Sequence, residues 1–292
     1  MVDRSGLTEP NRRAAVPVRR RGPLAPPTAG VLAACVLVLL VTAFVVGPWL
    51  TPHTVSGVDT QTLGAAPSWR HPFGTDPIGR DVFTRTLAGG RTTLLTAVIV
   101  AGLATLIGLV AGAAAGYRGG FVDTLVSQVV NLTLLTPALV VLLVVAVRFA
   151  TTPVGVAILL AVLLWPTTAR VVRAEVLALK SAEFVAGAEA VGASTWRILR
   201  HHLLPHLVGV ITVNATLLLA TAVVLESTLA FLGLGTAPPT PTLGGLVGAG
   251  RSQLESNPVV VLGPAGVIVA LTLSVHVLGD RLQAVFRGRG GR

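Results

Sequence analysis

The chain has 292 residues, of which 52% are hydrophobic and 12% charged, with a mean hydropathy of +0.79 and a formal net charge of +10. Soluble domains carry about 25% charged residues, so the composition excludes an ordinary water-soluble globule and points to a lipid-embedded chain. Aromatics at 4% are too few for a base-stacking platform, and the single cysteine, Cys35, allows neither an internal disulfide nor a cysteine metal cage.

In chain order, residues 1–28 form a basic tail with Arg12, Arg13, Arg19, Arg20 and Arg21, expected to be flexible and cytoplasmic. The apolar window Ala29–Leu50 follows and is long enough to span a bilayer. Leu32-Ala33-Ala34-Cys35 has the form of a lipoprotein cleavage box. However, the apolar run Val36–Val46 comes after the cysteine, so an uncleaved first helix is expected. Residues 29–91 are read as this helix plus an extracytoplasmic segment, and 92–282 as the transmembrane core. A basic tail over 283–292 carries Arg287, Arg289 and Arg292.

Five further windows qualify as spans: Thr92–Gly116, Thr124–Val147, Val154–Val172, Leu207–Leu229 and Val259–Gly279. Each must be helical, because lipid offers no partner for unpaired backbone groups. Six spans return both termini to one side, and the arginine-rich tails place that side in the cytoplasm. Gly102, Gly108, Gly112 and Gly116 recur along the second window and predict close helix approach, within the chain or against a partner helix. Pro137 interrupts the third window and predicts a bend. Glu226 is the acid deepest in a span, either bonding to the following turn or standing near an outer gate or subunit interface.

Between the fourth and fifth windows lies a polar insert, 174–205. Helix formers run from Ala174 to Ala190, Gly192 breaks the run, Ser194 can cap a second short helix over Thr195–Leu204, and Pro205 is expected to end it. His201, His202 and His206 suggest a metal, but adjacent histidines diverge by about 100° on a helix and no acid pair completes the set. No catalytic or metal site is expected.

The insert resembles the cytoplasmic EAA loop of ABC-importer membrane subunits. Ala186-Gly187-Ala188 holds the EAA place, Gly192 is the loop glycine and Leu204-Pro205 the closing pair. Glu183-Phe184-Val185-Ala186-Gly187-Ala188-Glu189-Ala190-Val191-Gly192 is similar to the form in the peptide-transport branch, with Glu189 in place of an arginine and Gly187 in place of an alanine. His71-Pro72-Phe73-Gly74-Thr75-Asp76-Pro77-Ile78-Gly79-Arg80-Asp81-Val82-Phe83-Thr84-Arg85 resembles a second block of dipeptide and oligopeptide permeases of the C type. The stretch from Glu226-Ser227 through Phe231-Leu232-Gly233-Leu234-Gly235, Pro238-Pro239, Gly250-Arg251 and Gly279-Asp280 resembles their C-terminal third, with Leu243 and Val259 where tryptophan is usual. The resemblance covers roughly 32–282.

It implies an all-α polytopic membrane protein with six transmembrane helices and a cytoplasmic helix–turn–helix, of the type I importer permease kind. Glu183, Phe184, Ala186, Gly187, Ala188, Glu189, Gly192, Ala193, Leu204 and Pro205 are then the ATPase-coupling loop. Pro137 and Glu226 are candidate gate or interface residues, and Asp76, Gly79, Arg80 and Asp81 make binding-protein or structural contacts. The implied cargo is a di- or oligopeptide, with nickel chelates or glutathione as the alternative on the same architecture; a self-sufficient secondary transporter would need charges at mid-membrane. No phosphate-binding loop is present, since the only lysine, Lys180, follows Leu179. ATP and Mg are therefore expected on two separate ATPase subunits, beside a second homologous permease, an extracytoplasmic binding protein and the bilayer of a bacterial cell membrane. No nucleic acid is expected.

Overall fold

The computed structural model describes residues 27–149 and 152–289, so most of the expected N-terminal tail lies outside the described residues. The described residues are helical apart from turns and one isolated bridge, Thr75 to Asp81. The helices are α1 (Pro27–Leu50), α2 (Val82–Arg118), α3 (Gly120–Leu135), α4 (Ala138–Phe149), α5 (Pro153–Lys180), α6 (Glu183–Ala190), α7 (Thr195–Ile198), α8 (Leu204–Phe231), α9 (Leu243–Gly250) and α10 (Val259–Arg289). A π turn, Leu199–Leu203, joins α7 to α8 without a break.

Five stretches are long and apolar enough to cross a membrane: Thr28–Leu50, Val82–Arg118, Pro153–Lys180, Thr195–Phe231 and Val259–Phe286. A sixth exists only as a broken pair, Gly120–Leu135 with Val140–Ala146, bent by 89°. The single helix expected over Thr124–Val147 is thus corrected. Pro137 ends α3 rather than bending it, because proline pushes Thr136 into extended backbone (φ −78°, ψ 129°) and supplies no amide to continue the ladder.

Several boundaries also move. α2 starts well before Thr92, because the Asp81 carboxylate accepts the Thr84 amide at 2.7 Å and caps the helix there. α5 continues through Val172 to Lys180, so the first part of the expected insert belongs to a span. α10 runs through Arg289, so the expected basic tail from 283 is helical as far as 289, and 290–292 lie outside the described residues.

The bundle is organised around the long α2–α5 seam, its most extensive helix contact. A Cβ on Gly108 would lie 2.5 Å from Thr168 Cβ, and one on Gly112 would lie 2.5 Å from the Ala169 carbonyl oxygen. These glycines serve approach within the chain, whereas Gly102 faces open space. The main core gathers Phe44, Val100, Leu142, Leu160, Val223 and Leu271. Outward faces stay apolar, with Val38 and Leu39 on α1, Leu106 and Val110 on α2, and Leu262 and Leu273 on α10 exposed, as lipid solvation requires.

Candidate functional site

A second, separate core lies at the end of the bundle where α2 and α5 finish and α8 begins. Val185 and Ala188 of α6 pack there with Val172, Val176, Ile198, Leu203 and Leu207. The helix–turn–helix is therefore docked on its own spans.

Its turn is built by local chemistry. Val191 ends α6, Gly192 adopts φ +79°, and two bonds close the helix: the Gly192 amide to the Glu189 carbonyl at 2.9 Å and the Ala193 amide to the Ala188 carbonyl at 3.0 Å. This is the Schellman arrangement, in which a left-handed residue after the last helical turn is nearly always glycine. Ser194 then caps α7 by accepting the Arg197 amide at 3.4 Å. Beyond this the expected stop at Pro205 is corrected. Pro205 sits in the first turn of α8, and the chain is helical from Thr195 to Phe231. The widened π turn, with the Leu204 amide bonded to the Leu199 carbonyl, removes the conflict, since the amide that proline lacks is not called on.

Two side-chain contacts tie α6 to the spans. Phe184 stacks on His206 of α8, ring centroids 5.2 Å apart and 15° from parallel. Glu189 accepts the Tyr117 hydroxyl of α2 at 3.3 Å, and Lys180 of α5 donates to the Tyr117 carbonyl at 2.7 Å. Glu189, the departure from the family pattern, thus has an internal partner in the sole tyrosine of the chain. A Cβ at Gly187 would meet nothing within 4 Å, so that departure lies on an open face. The outward surface of the element is apolar for an exposed turn: Val191 is 85% exposed, Trp196 70% and Phe184 41%. Glu183, Ala186, Glu189 and Gly192 are also exposed, and Ala193 is half-buried. Of the histidines, His206 donates through Nδ1 to the His202 carbonyl at 2.7 Å, and no metal cluster involves these three among the described residues.

At the opposite end, the segment between α1 and α2 is folded by Asp76. Its Oδ1 accepts the amides of Ile78 (3.1 Å) and Arg80 (2.9 Å), and its Oδ2 pairs with Arg80 Nε at 2.6 Å. Gly79 has φ +85°, and a Cβ there would collide with the Asp59 carbonyl. Asp81 caps α2 and bonds His71 Nδ1 at 2.9 Å. Arg85 donates to the Val55 carbonyl at 3.0 Å. Asn257 donates to the Ala65 carbonyl at 2.9 Å, and Gln253 reaches the Thr75 carbonyl at 3.5 Å, which stitches the loop between α9 and α10 onto the segment between α1 and α2.

Glu226 is 1% exposed and stands where α2, α8 and α9 meet. Thr93 and Thr242 face its carboxyl; Ser227 Oγ donates to Oε2 at 3.5 Å, while Oε1 has no hydrogen-bond partner among the described residues.

Sequence reasoning missed a polar ladder between α3 and α5. Asp123 pairs bidentately with Arg173 and accepts from Ser127 at 3.2 Å, and Asn131 accepts from Arg170 at 3.1 Å. Asp123, Ser127 and Asn131 share a four-residue spacing, one stripe of a helix, and that spacing was the available signal.

Residues 104–289 match the family described as binding-protein-dependent transport system inner membrane component. A Brucella suis biovar 1 protein named as a peptide permease is 38% identical over 243 residues, covering 82% of this chain and 80% of that protein. The dipeptide transport system permease protein DppC of Bacillus subtilis is 36% identical over 249 residues (85% and 78%). The oligopeptide transport system permease protein OppC of Haemophilus influenzae is 32% identical over 257 residues (87% and 83%). Among solved structures, the inward-facing MetNI methionine ABC transporter shares the fold with a TM-score of 0.55 at 22% identity, over 68% of this chain and 94% of that one. With a family match over most of the chain and relatives above 30% identity along its length, this chain belongs to the binding-protein-dependent transport system inner membrane components.

Proposed function

We propose that the chain is one of two membrane subunits of an ATP-driven importer that moves di- or oligopeptides delivered by an extracytoplasmic binding protein. Peptide cargo is supported by the names of the relatives. ATP and Mg belong to separate ATPase subunits, and this subunit is non-catalytic. The termini and α6 lie on the cytoplasmic side, and the Asp76–Asp81 segment lies outside.

One observation carries the mechanism. The α6–Gly192–α7 element exposes an apolar turn, Phe184 and Val191, on a core shared with α2, α5 and α8. An apolar tip on a firmly packed base suits docking into a groove of another protein. Displacement of that tip by an ATPase is passed to the ends of three spans through the shared core, the Tyr117–Glu189 bond and the Phe184–His206 stack. Such a two-state element, biased by nucleotide elsewhere, is what coupling requires.

The test is uptake into vesicles carrying this chain with its co-purified subunits and binding protein. ATP-dependent accumulation of a labelled dipeptide, competed by unlabelled oligopeptides and not by nickel complexes, is the expected result. Competition by nickel chelates alone would overturn the peptide assignment.

A further inference from the structure

His53, His71 and Asp81 come from three places: just past α1, the turn at His71, and the cap of α2. One ring nitrogen from each histidine and one carboxylate oxygen of Asp81 lie within 4.8 Å of one another. The two imidazoles stack, with centroids 4.6 Å apart and planes 26° from parallel. His71 and Asp81 are buried and His53 is half-buried.

Neighbouring bonds bear on which atoms are free to bind. The Arg70 carbonyl can only accept, so His53 Nε2 donates to it at 3.0 Å, and in the neutral imidazole Nδ1 is the nitrogen left with a lone pair. Histidine ligands adopt this arrangement, giving the second N–H to a carbonyl that orients the ring. The Thr84 amide holds Asp81 Oδ2 at 2.7 Å, which leaves Oδ1 turned to His71.

We propose that His53, His71 and Asp81 bind one divalent transition-metal ion, and that this ion staples the outer segment to the first turn of α2. Two imidazoles and one carboxylate suit Zn²⁺ or Ni²⁺ rather than Ca²⁺ or Mg²⁺, which prefer oxygen ligands throughout. The ion takes the place of the proton between His71 Nδ1 and Asp81 Oδ1, so that proton leaves to solvent as the ion binds. A cavity of about 580 Å³ beside His53 and Asp81, lined also by Leu50, Trp69 and Phe83, provides entry and room for water as a fourth ligand. The rival reading is a metal-free hydrogen bond that anchors the segment unaided, and it predicts no metal dependence.

Zn²⁺ titration of the purified complex against a chromophoric chelator decides between them. His53→Phe preserves the ring stack on His71 and removes one ligand, while His276→Gln, on an exposed face of α10, serves as control. The expected result is one Zn²⁺ per chain, affinity at least about tenfold weaker in H53F, and unchanged binding in H276Q. Zn²⁺ should also protect the outer segment from protease in the wild type but not in H53F or a second variant, His53→Gln. Absence of stoichiometric Zn²⁺ in the wild type, or H53F and H53Q binding as the wild type does, overturns the proposal.

Discussion

Replacing Gly192 by valine is expected to reduce coupled transport at least about tenfold while the chain remains folded in the membrane. Gly192 holds φ +79°, and an added Cβ there would meet nothing within 4 Å. The whole cost is therefore backbone conformation, about 1–2 kcal/mol for an ordinary L residue and more for a β-branched one. A penalty of that size does not unfold a bundle stabilised elsewhere. It does shift an exposed turn, since about 1.4 kcal/mol is a tenfold change in population. The turn aims Val191, so docking suffers while insertion does not. The expected measurement is wild-type abundance of G192V with transport reduced at least about tenfold. G192N should fall between the two, because asparagine tolerates the left-handed region. Wild-type transport by G192V would remove the turn from the mechanism.

Gly112→Leu has the opposite character: the chain fails to fold. A Cβ at this position would stand 2.5 Å from the Ala169 carbonyl oxygen and 3.0 Å from Val172 Cβ. The first obstacle is backbone, so no rotamer change relieves it and α2 must lift off α5. Overpacking against side chains costs about 1–3 kcal/mol; prying open the main seam of the bundle costs more. We expect little monodisperse G112L protein by size-exclusion chromatography. Gly102→Leu on the same helix should accumulate normally, since that position meets nothing within 4 Å. Equal yields would mean that the α2–α5 seam does not hold the bundle together.

The spans, the insert and its glycine turn were legible because each depends on local chemistry. Hydropathy locates the apolar windows, and Gly192 after a run of helix formers marks a helix end. Prolines were harder. Pro137, expected to bend its helix, breaks it, whereas Pro205, expected to end a helix, lies inside one. The difference is whether the neighbouring backbone turns extended, as at Thr136, or widens into a π turn, as at Leu199–Leu203. That outcome is decided by packing and not by the residue itself. Distant pairings were equally hidden: Tyr117 with Glu189, Asp123 with Arg173, and Glu226 among Thr93 and Thr242 all join residues far apart in sequence. The block containing Asp76 and Asp81 is visible as a motif, yet its use in capping and turn formation depends on the fold.

Cross-linking from the tip of the turn tests the coupling role most directly. In a Cys35→Ser background, Val191→Cys is placed in the assembled complex and treated with a short heterobifunctional cross-linker that joins its thiol to a nearby lysine amine. The coupling role predicts a product with the ATPase subunit whose yield changes when ATP binds, and none from Leu273→Cys on the outward face of α10. An assembled, transport-competent complex in which V191C yields no ATPase product, with or without ATP, would contradict it.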